Sequence, residues 1–579
     1  MISIRAGTKL NIYQETKNKI LDALYQNFKN LNEGIENKVT CEQPKNKKFG
    51  DISSNVILVV SKILKLDKKN ISKILINTLL KNKYFDRAEF IEPGFLNLYF
   101  SNEFWLNFLN KISLKGDKFG FSNLGNNRKV NIEFVSANPT GPLHIGHLRG
   151  AIFGDVLSKL LSKTGFIVTK EYYVNDLGTQ VENLAITLKH HLKNYANSEN
   201  LKMTENMYKG EYLKKIAEKL IKSPSFNIND FEKLKEYAVK NNLDLIKKDL
   251  SDLGVSFNNF ISEKKIHDNG LMENVYKILK KNDYIYNGFL EKPKGKKSEK
   301  WKPVKQLLFK SSLHGDKSDR VLKKENGDWT YFASDVAYHY DKAIRGYDEI
   351  INIWGADHAG YIDRVRASLL ALGFKNTLFT VKLCQIVNLI DKKKVIKMSK
   401  RDGNFVLVSD ILPKIGKDVL RFFMLTRKND AHLDFDLEKC LNETNENPSF
   451  YVQYAYARIS SIKRIAEQKK QQINIKQIKT KSASLSIPEI DLIKSLSLWP
   501  KIIESSVAYR EPHRIVYFLI ELAGNFHSYW SLGKSDNKYK ILAEQNSELT
   551  HVRFLILNII QKVLKNGLDL LSVSVKDKM

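Results

Sequence analysis

The spacing of apolar and polar positions divides the chain into three stretches. Up to about residue 114, apolar residues three and four apart (Glu15 to Asn30, Asn55 to Leu64) predict amphipathic helices, and the closing run FIEPGFLNLYFS predicts strand. The polar run KGDKFGFSNLGNNRK reads as a linker. A second stretch, 115–436, opens on the strand pattern KVNIEFV. Within it, a helical segment rich in Lys, Asn and Glu, from about 182 to 310, separates two strand-rich parts as an insertion does. From Leu437 the pattern is almost wholly helical, interrupted by the exposed tract QKKQQINIKQIKTKSASLS; no internal repeat is present.

The run VNIEFVSANPTGPLHIGHLRG concentrates the polar chemistry. Val130 to Val135 predicts a parallel strand and SANPTGP a loop. From Pro142 the apolar positions Leu148, Ala151, Ile152, Leu157, Leu160 and Leu161 keep helical spacing up to a stop at Gly165. Strand, loop and helix in that order form a ligand site in an open parallel sheet. The helix N-terminus favours phosphate, and His144 and His147, three apart on its first turn, face the same anion. Gly146 between them lets a nucleotide approach the backbone. A second motif, VIKMSKRDGN, puts Lys397, Lys400 and Arg401 in a short loop suited to a departing pyrophosphate. Alone, two histidines on a helix or a basic loop are ordinary surface features. The two motifs together, about 250 residues apart across an insertion, are specific.

Composition adds bounds. At 579 residues with 42% hydrophobic positions, the chain has room for three to four domains. No apolar run approaches the ~18 residues that span a bilayer, and the N-terminus has neither an h-region nor a cleavage site, so a cytoplasmic protein without membrane contact is expected. Cys41, Cys384 and Cys440 lie far apart, so neither disulfides nor structural zinc are expected. A net charge of +30 points to a polyanionic partner, although Lys, Asn and Ile are abundant throughout and a solvated surface explains part of the excess.

HIGH (His144 to His147) and KMSKR (Lys397 to Arg401) resemble the signature pair of class I aminoacyl-tRNA synthetases. With EFVSANPTGPLHIGHLRGA, EYYVNDLGTQ, TYFASDVAYHYDK, WGADHAGY, NPSFYVQYAYARI and VLKNGLDLL, the whole chain is similar to bacterial arginyl-tRNA synthetases. The resemblance implies an α/β Rossmann-type class I catalytic domain with an insertion (115–436, insertion about 182–310). It also implies an N-terminal α+β domain (1–114) and an all-α anticodon-binding domain (437–579).

The activity implied is ligation of arginine to tRNA(Arg). ATP and arginine give arginyl-adenylate, with Mg²⁺ accompanying the ATP and no metal held by the protein itself, and the 2′-hydroxyl of the terminal adenosine then takes the arginine. His144, Gly146, His147, Lys397 and Lys400 are the implied catalytic residues; Asp357, His358, Met398, Ser399 and Arg401 complete the ATP site. Glu133, Asn138, Tyr331 and Asp335 are implied to bind arginine. The residues fit that role, because a guanidinium needs paired carboxylate acceptors and Tyr331 and Asp335, four apart, share one face if helical; the alternative is that Asp335 caps a helix and Tyr331 packs in a core. Tyr173, Asn175 and Asp176 in YYVND fall near the substrate.

For tRNA the implied contacts are Phe95 and Asn97 in the N-terminal domain and Tyr451, Tyr454 and Met579 in the C-terminal one, with packing in an edge strand and a helical core as the alternatives. KDVLRFF (Lys417 to Phe423) resembles the DALR signature of the anticodon-binding domain. Some relatives replace a KMSK lysine by one three residues before HIGH; here that place is Gly141 and KMSK is intact. A monomer and tRNA-dependent activation are further implications. The competing readings are another enzyme of the HIGH superfamily and a non-catalytic RNA-binding paralogue, the latter at odds with two intact motifs.

Overall fold

The computed structural model of the chain describes residues 10–29, 31, 34–81, 84–197, 202–222, 227, 229–290, 303–396, 406–444, 446–469, 485–542 and 547–579. They form two compact units, Gly125–Glu443 and the combination of Met1–Leu124 with Thr444–Met579.

The first unit is built on a five-stranded parallel sheet of β1 (Lys129–Glu133), β2 (Ile167–Val174), β3 (Asn259–Ser262), β4 (Glu349–Gly355) and β5 (Leu378–Cys384), in the order 5-4-1-2-3. Val130 to Phe134 are buried without alternation, as expected of a central parallel strand covered on both faces. The strand ends where Val135 and Ser136 take φ of 66° and 39°. Left-handed backbone at a β-branched residue is strained, and here it turns the chain out of the sheet at the ligand end of the strands. Helix α1 (Ile145–Lys163) follows, three residues later than the apolar spacing suggests, because His144 is its N-cap. Gly165 ends it with φ of 86°.

Between β2 and β3 stand α2 (Thr179–Asn197), α3 (Glu211–Ile221) and α4 (Phe231–Asp252), packed on one another through Leu184, Leu188, Leu213, Ile216, Leu234 and Ala238. The expected insertion of 182–310 is therefore not wholly outside the sheet, since β3 lies within it. Its four residues are too short for periodicity to separate them from their helical surroundings. Helix α5 (Glu263–Asp268) leaves β3 directly; further on, α6 (Tyr331–Ile344) leads into β4, and α7 (Ile362–Ala371) lies between β4 and β5. KDVLRFF forms a helix of this same unit, with Arg421 buried and ion-paired to Asp155 of α1 at 2.5 Å.

In the other unit, a four-stranded antiparallel sheet carries Phe95–Tyr99 between Ile52–Ser54 and Arg87–Ile91. The helices after residue 447 pack through Val452, Leu496, Phe518, Phe526 and Leu564. Among the described residues no helix is long and apolar enough to cross a membrane.

Candidate active site

The N-terminus of α1 is closed by its own histidines. The Gly146 N–H donates to His144 Nδ1 (3.2 Å), the His144 N–H donates to His147 Nδ1 (3.3 Å), and the two rings lie 3.8 Å apart. Since each Nδ1 accepts, a neutral ring carries its proton on Nε2. The Ile145 N–H donates to the Val406 carbonyl (3.1 Å) and that of His147 to the His144 carbonyl (2.9 Å). The first backbone donors of the helix are thus engaged within the chain, contrary to the expectation that they await a phosphate; the imidazoles and the positive end of the dipole remain. Gly146 has a local role as well, because a Cβ there would lie 3.0 Å from the His144 ring.

Val406 to Val408 bridge to the HIGH turn, with the Val408 N–H donating to the Leu143 carbonyl at 2.9 Å. Val406 to Val408, a few residues beyond the KMSKR motif, are therefore fixed against Leu143 and His144. Lys397, Met398, Ser399, Lys400 and Arg401 themselves lie outside the described residues.

Beneath the pocket runs a buried polar network. Glu133, the last residue of β1, accepts from Lys342 Nζ (2.5 Å) and Ser136 Oγ (3.0 Å); Lys342 also reaches Asn352 Oδ1 (3.1 Å). Asn352 Nδ2 lies 2.7 Å from His339 Nε2, and His339 Nδ1 lies 2.7 Å from the Asp335 carbonyl. Those partners assign the Nδ1–H tautomer, and burial, followed by the Lys342 charge, lowers the His339 pKa to about 3. On β2, Glu171 holds Arg345 in a two-pronged pair (2.5 and 2.9 Å) and accepts from Tyr338 Oη (2.9 Å). Tyr338, His339 and Lys342 on α6 and Arg345 just after it are thus fixed against the end of β1 and the middles of β2 and β4. Glu133 is thereby committed to the protein.

Above this floor two acids are less fully answered, with the Lys342 and Arg364 charges only partly offsetting the burial of Asp335. Asp335 and Glu263, first residue of α5, form no ion pair among the described residues. Burial raises both pKa values to about 7; neighbouring Glu133 and Glu263 add to the effect at Asp335, and Asp176 adds to it at Glu263. Glu263 is 4% exposed, and the Asn175 side-chain amide lies 2.8 Å from its Oε2. Asp176 accepts from Ser262 Oγ (2.6 Å) and the Lys264 N–H (2.9 Å), shaping the turn that presents Glu263. Tyr173 stacks at 4.4 Å on Tyr338. Neither alternative for the YFASD pair holds. Thr330 caps α6 through the Ala333 N–H, and Tyr331 is 64% exposed at the first helical position, its hydroxyl beside Gly178.

Glu263 escaped sequence reading because it sits in the Lys-rich helical stretch, where an acid looks like a solvated charge. The only available signal was its place immediately after Ser262, an N-cap residue type.

The other expected positions are spread more widely. Asn138 Nδ2 donates to Gln180 Oε1 (2.7 Å). Asp357 and His358 stand exposed, 3.5 Å apart, on the single-turn helix Ala356–Tyr361 after β4. Phe95 is 37% exposed, whereas Asn97 is buried in an inner strand, not an edge, and turns no face to solvent. Tyr451 and Tyr454 are half-buried around His527, with ring centres 4.7 and 5.7 Å from it, and Arg458 donates to Tyr454 Oη (2.8 Å). Met579 is exposed.

Residues 109–432 match the family described as tRNA synthetases class I (R), catalytic domain; 14–100 match the arginyl tRNA synthetase N terminal domain, and 452–579 the DALR anticodon binding domain. The chain is similar to the arginine–tRNA ligase of Wolbachia sp. subsp. Brugia malayi, 40% identical with 98% of this chain and 100% of the relative covered. It is also similar to that of Rickettsia typhi, 42% identical with 97% and 99% covered. In fold it resembles the arginyl-tRNA synthetase of Thermus thermophilus (TM-score 0.73, 20% identity, 98% of this chain and 100% of that one). The Plasmodium falciparum enzyme is comparable (TM-score 0.72, 19% identity, 99% and 100%). With about 40% identity over nearly its whole length to the Wolbachia and Rickettsia ligases and a class I (R) catalytic domain over 109–432, the chain belongs to the arginine–tRNA ligases, class I aminoacyl-tRNA synthetases.

Proposed function

We propose that Asp335 and Glu263 bind the guanidinium of arginine while the HIGH turn and the KMSKR segment act on ATP. The observation that carries this reading is a pair of neighbouring, largely buried carboxylates, Asp335 on α6 and Glu263 directly after β3, neither of which is in an ion pair among the described residues. A guanidinium satisfies both through its forked donors. Tyr331 closes the guanidinium end, Asn138 reaches the amino-acid end, and Glu133 orders the floor through Lys342.

The arginine carboxylate attacks the α-phosphate of ATP in line, forming arginyl-adenylate and releasing pyrophosphate. No protein nucleophile is needed. His144 and His147 donate from Nε2 to the transferring phosphate, and the α1 dipole favours the charge that develops there. Asp357 and His358 hold the ribose. Lys397 and Lys400, flanking Met398 and Ser399 and followed by Arg401, neutralise the departing pyrophosphate; what supports this role is the motif and the anchoring of Val406 to Val408 on the HIGH turn. Mg²⁺ accompanying the triphosphate would supply further neutralisation of its charge.

The terminal adenosine 2′-hydroxyl of tRNA(Arg) then attacks the adenylate carbonyl, forming the ester as the bond from that carbon to the phosphate oxygen breaks and AMP leaves. Tyr451, Tyr454 and Met579 read the anticodon side and Phe95 the D-loop side, in the domains 437–579 and 1–114. Stacking of unpaired bases on aromatic faces is the supporting chemistry. The enzyme works in the cytoplasm as a monomer.

Arginine-dependent ATP–pyrophosphate exchange, with and without tRNA(Arg), tests the reading against lysine and citrulline. Exchange with arginine alone among the three is expected. Equal exchange with citrulline would remove the charge argument, and none with any substrate would leave the RNA-binding paralogue.

A further inference from the structure

The turn that precedes HIGH is held by two side chains of the helical insertion. Tyr212, on α3, donates its hydroxyl to the Thr140 carbonyl at 2.5 Å. Asp249, on α4 and only 6% exposed, accepts the Leu143 N–H at 2.9 Å through Oδ2. Between these two bonds lies the Gly-Pro of the turn. A Cβ on Gly141 would stand 2.9 Å from the Tyr212 oxygen, so the glycine admits the tyrosine.

Leu143 is a node. Its N–H goes to Asp249 and its carbonyl accepts from Val408, the residue pair that ties the HIGH turn to the chain following KMSKR. The C-terminal end of α4, one turn beyond Asp249, is itself fixed, because the Leu253 carbonyl accepts from Arg421 Nη1 at 3.0 Å and Arg421 is paired with Asp155 of α1. Asp249 therefore sits on a helix anchored to the same element whose N-terminus it positions. A hydrophobic bundle needs neither a hydroxyl nor a carboxylate at these places, and burying a carboxylate beside a single N–H is costly unless the bond matters.

We propose that Tyr212 and Asp249 are positioning residues for adenylate formation, setting the Thr140–Leu143 turn so that His144 and His147 meet the transferring phosphate. This rests on the function proposed above. Displacing a donor by a fraction of an ångström weakens transition-state contacts while leaving a distant amino-acid pocket intact. The turn is thus addressed from the insertion at both ends.

The test is ATP–pyrophosphate exchange by the full chain with tRNA(Arg), for the wild type, Tyr212→Phe, Asp249→Ala, Asp249→Asn, His144→Ala and the double variant Tyr212→Phe/His144→Ala. Tyr212→Phe and Asp249→Ala should each lower kcat by about 5- to 50-fold with the arginine KM unchanged within about twofold. Asp249→Asn, which keeps an acceptor oxygen, should recover most of the loss. Adding Tyr212→Phe to His144→Ala should cost less than about twofold more, because the two act through one contact. A purely structural role predicts a multiplicative double variant and a falling thermal midpoint. Wild-type kcat in Tyr212→Phe, or full multiplication with His144→Ala, overturns the proposal; if Asp249→Ala fails to fold, Tyr212→Phe and Asp249→Asn still decide it. A wild type without arginine-dependent exchange would refute the function and not the positioning.

Discussion

Lys342 Nζ lies 2.5 Å from Glu133 Oε2, with both side chains almost entirely withdrawn from solvent. The pair joins α6 to the end of β1, and the same ammonium reaches Asn352 on β4. The helix that carries Tyr331 and Asp335 is thus located by a buried ion pair with the end of β1.

Lys342→Met should destabilise the catalytic unit by about 3–5 kcal/mol, because a buried carboxylate is left without its cation. Adding Glu133→Gln should restore part of that, since no charge is then orphaned. Calorimetric unfolding of the wild type and the three variants checks both statements; equal losses in the single and double variants would mean that packing, not charge, matters at this place.

The two carboxylates above that floor give a pH dependence of defined sign. Asp335 faces Glu133, Glu263, Lys342 and Arg364, and Glu263 faces Asp176, Ser334 and Tyr173; burial leaves each with a pKa of about 7. Below pH 7 arginine must displace protons from them, so kcat/KM for arginine should rise steeply from pH 6 to 8 and then level off. For stability the sign is opposite to that of a paired carboxylate. The folded pKa exceeds the unfolded value near 4, so stability is lost as pH rises from about 4 through 7. Asp335→Asn should accordingly raise the thermal midpoint by about 1–3 °C at pH 8, with the gain shrinking toward pH 5. A gain that is independent of pH would disprove the assigned charge.

Selectivity follows from the same pair. Glu263→Gln should reduce kcat/KM for arginine by about 10- to 100-fold, the worth of one charge-assisted contact, with kcat at saturating arginine less affected. Citrulline, which leaves a charge unanswered in the wild type, should discriminate less against the variant. Competition of citrulline against labelled arginine measures that ratio, and an unchanged ratio would place Glu263 outside the pocket.

Sequence reading reached the elements whose pattern is long or whose residue types are rare. The strand, turn and helix around HIGH and the fold class were legible because periodicity and motif agree there. Glu263 and β3 were not, since a four-residue strand followed by an acid has no distinctive period inside a Lys-rich helical context. Glu133 carried the right charge, but its partner, Lys342, is 209 residues away in sequence and only tertiary packing joins them. The closure of the α1 N-terminus was hidden for a different reason. Histidine is an unusual cap, and nothing in HIGH says that His144 turns back onto Gly146 and leaves no backbone donor at that position for phosphate.

That closure makes Gly146 testable. Gly146 is exposed and helical, so alanine would favour the helix by about 0.5–1 kcal/mol if nothing else intervened. Its Cβ, however, would stand 3.0 Å from both Cε1 and Nδ1 of His144. At that separation the imidazole must give way, and the bond from the Gly146 N–H that fixes its tautomer lengthens with it. Gly146→Ala should therefore leave the thermal midpoint unchanged or slightly raised while lowering kcat for pyrophosphate exchange by about tenfold or more. The KM for arginine should stay as it was, because Glu263 and Asp335, proposed to hold the guanidinium, lie on α5 and α6. A variant that is more stable and fully active would show that His144 tolerates displacement, and the imidazole would then lose its place at the transferring phosphate.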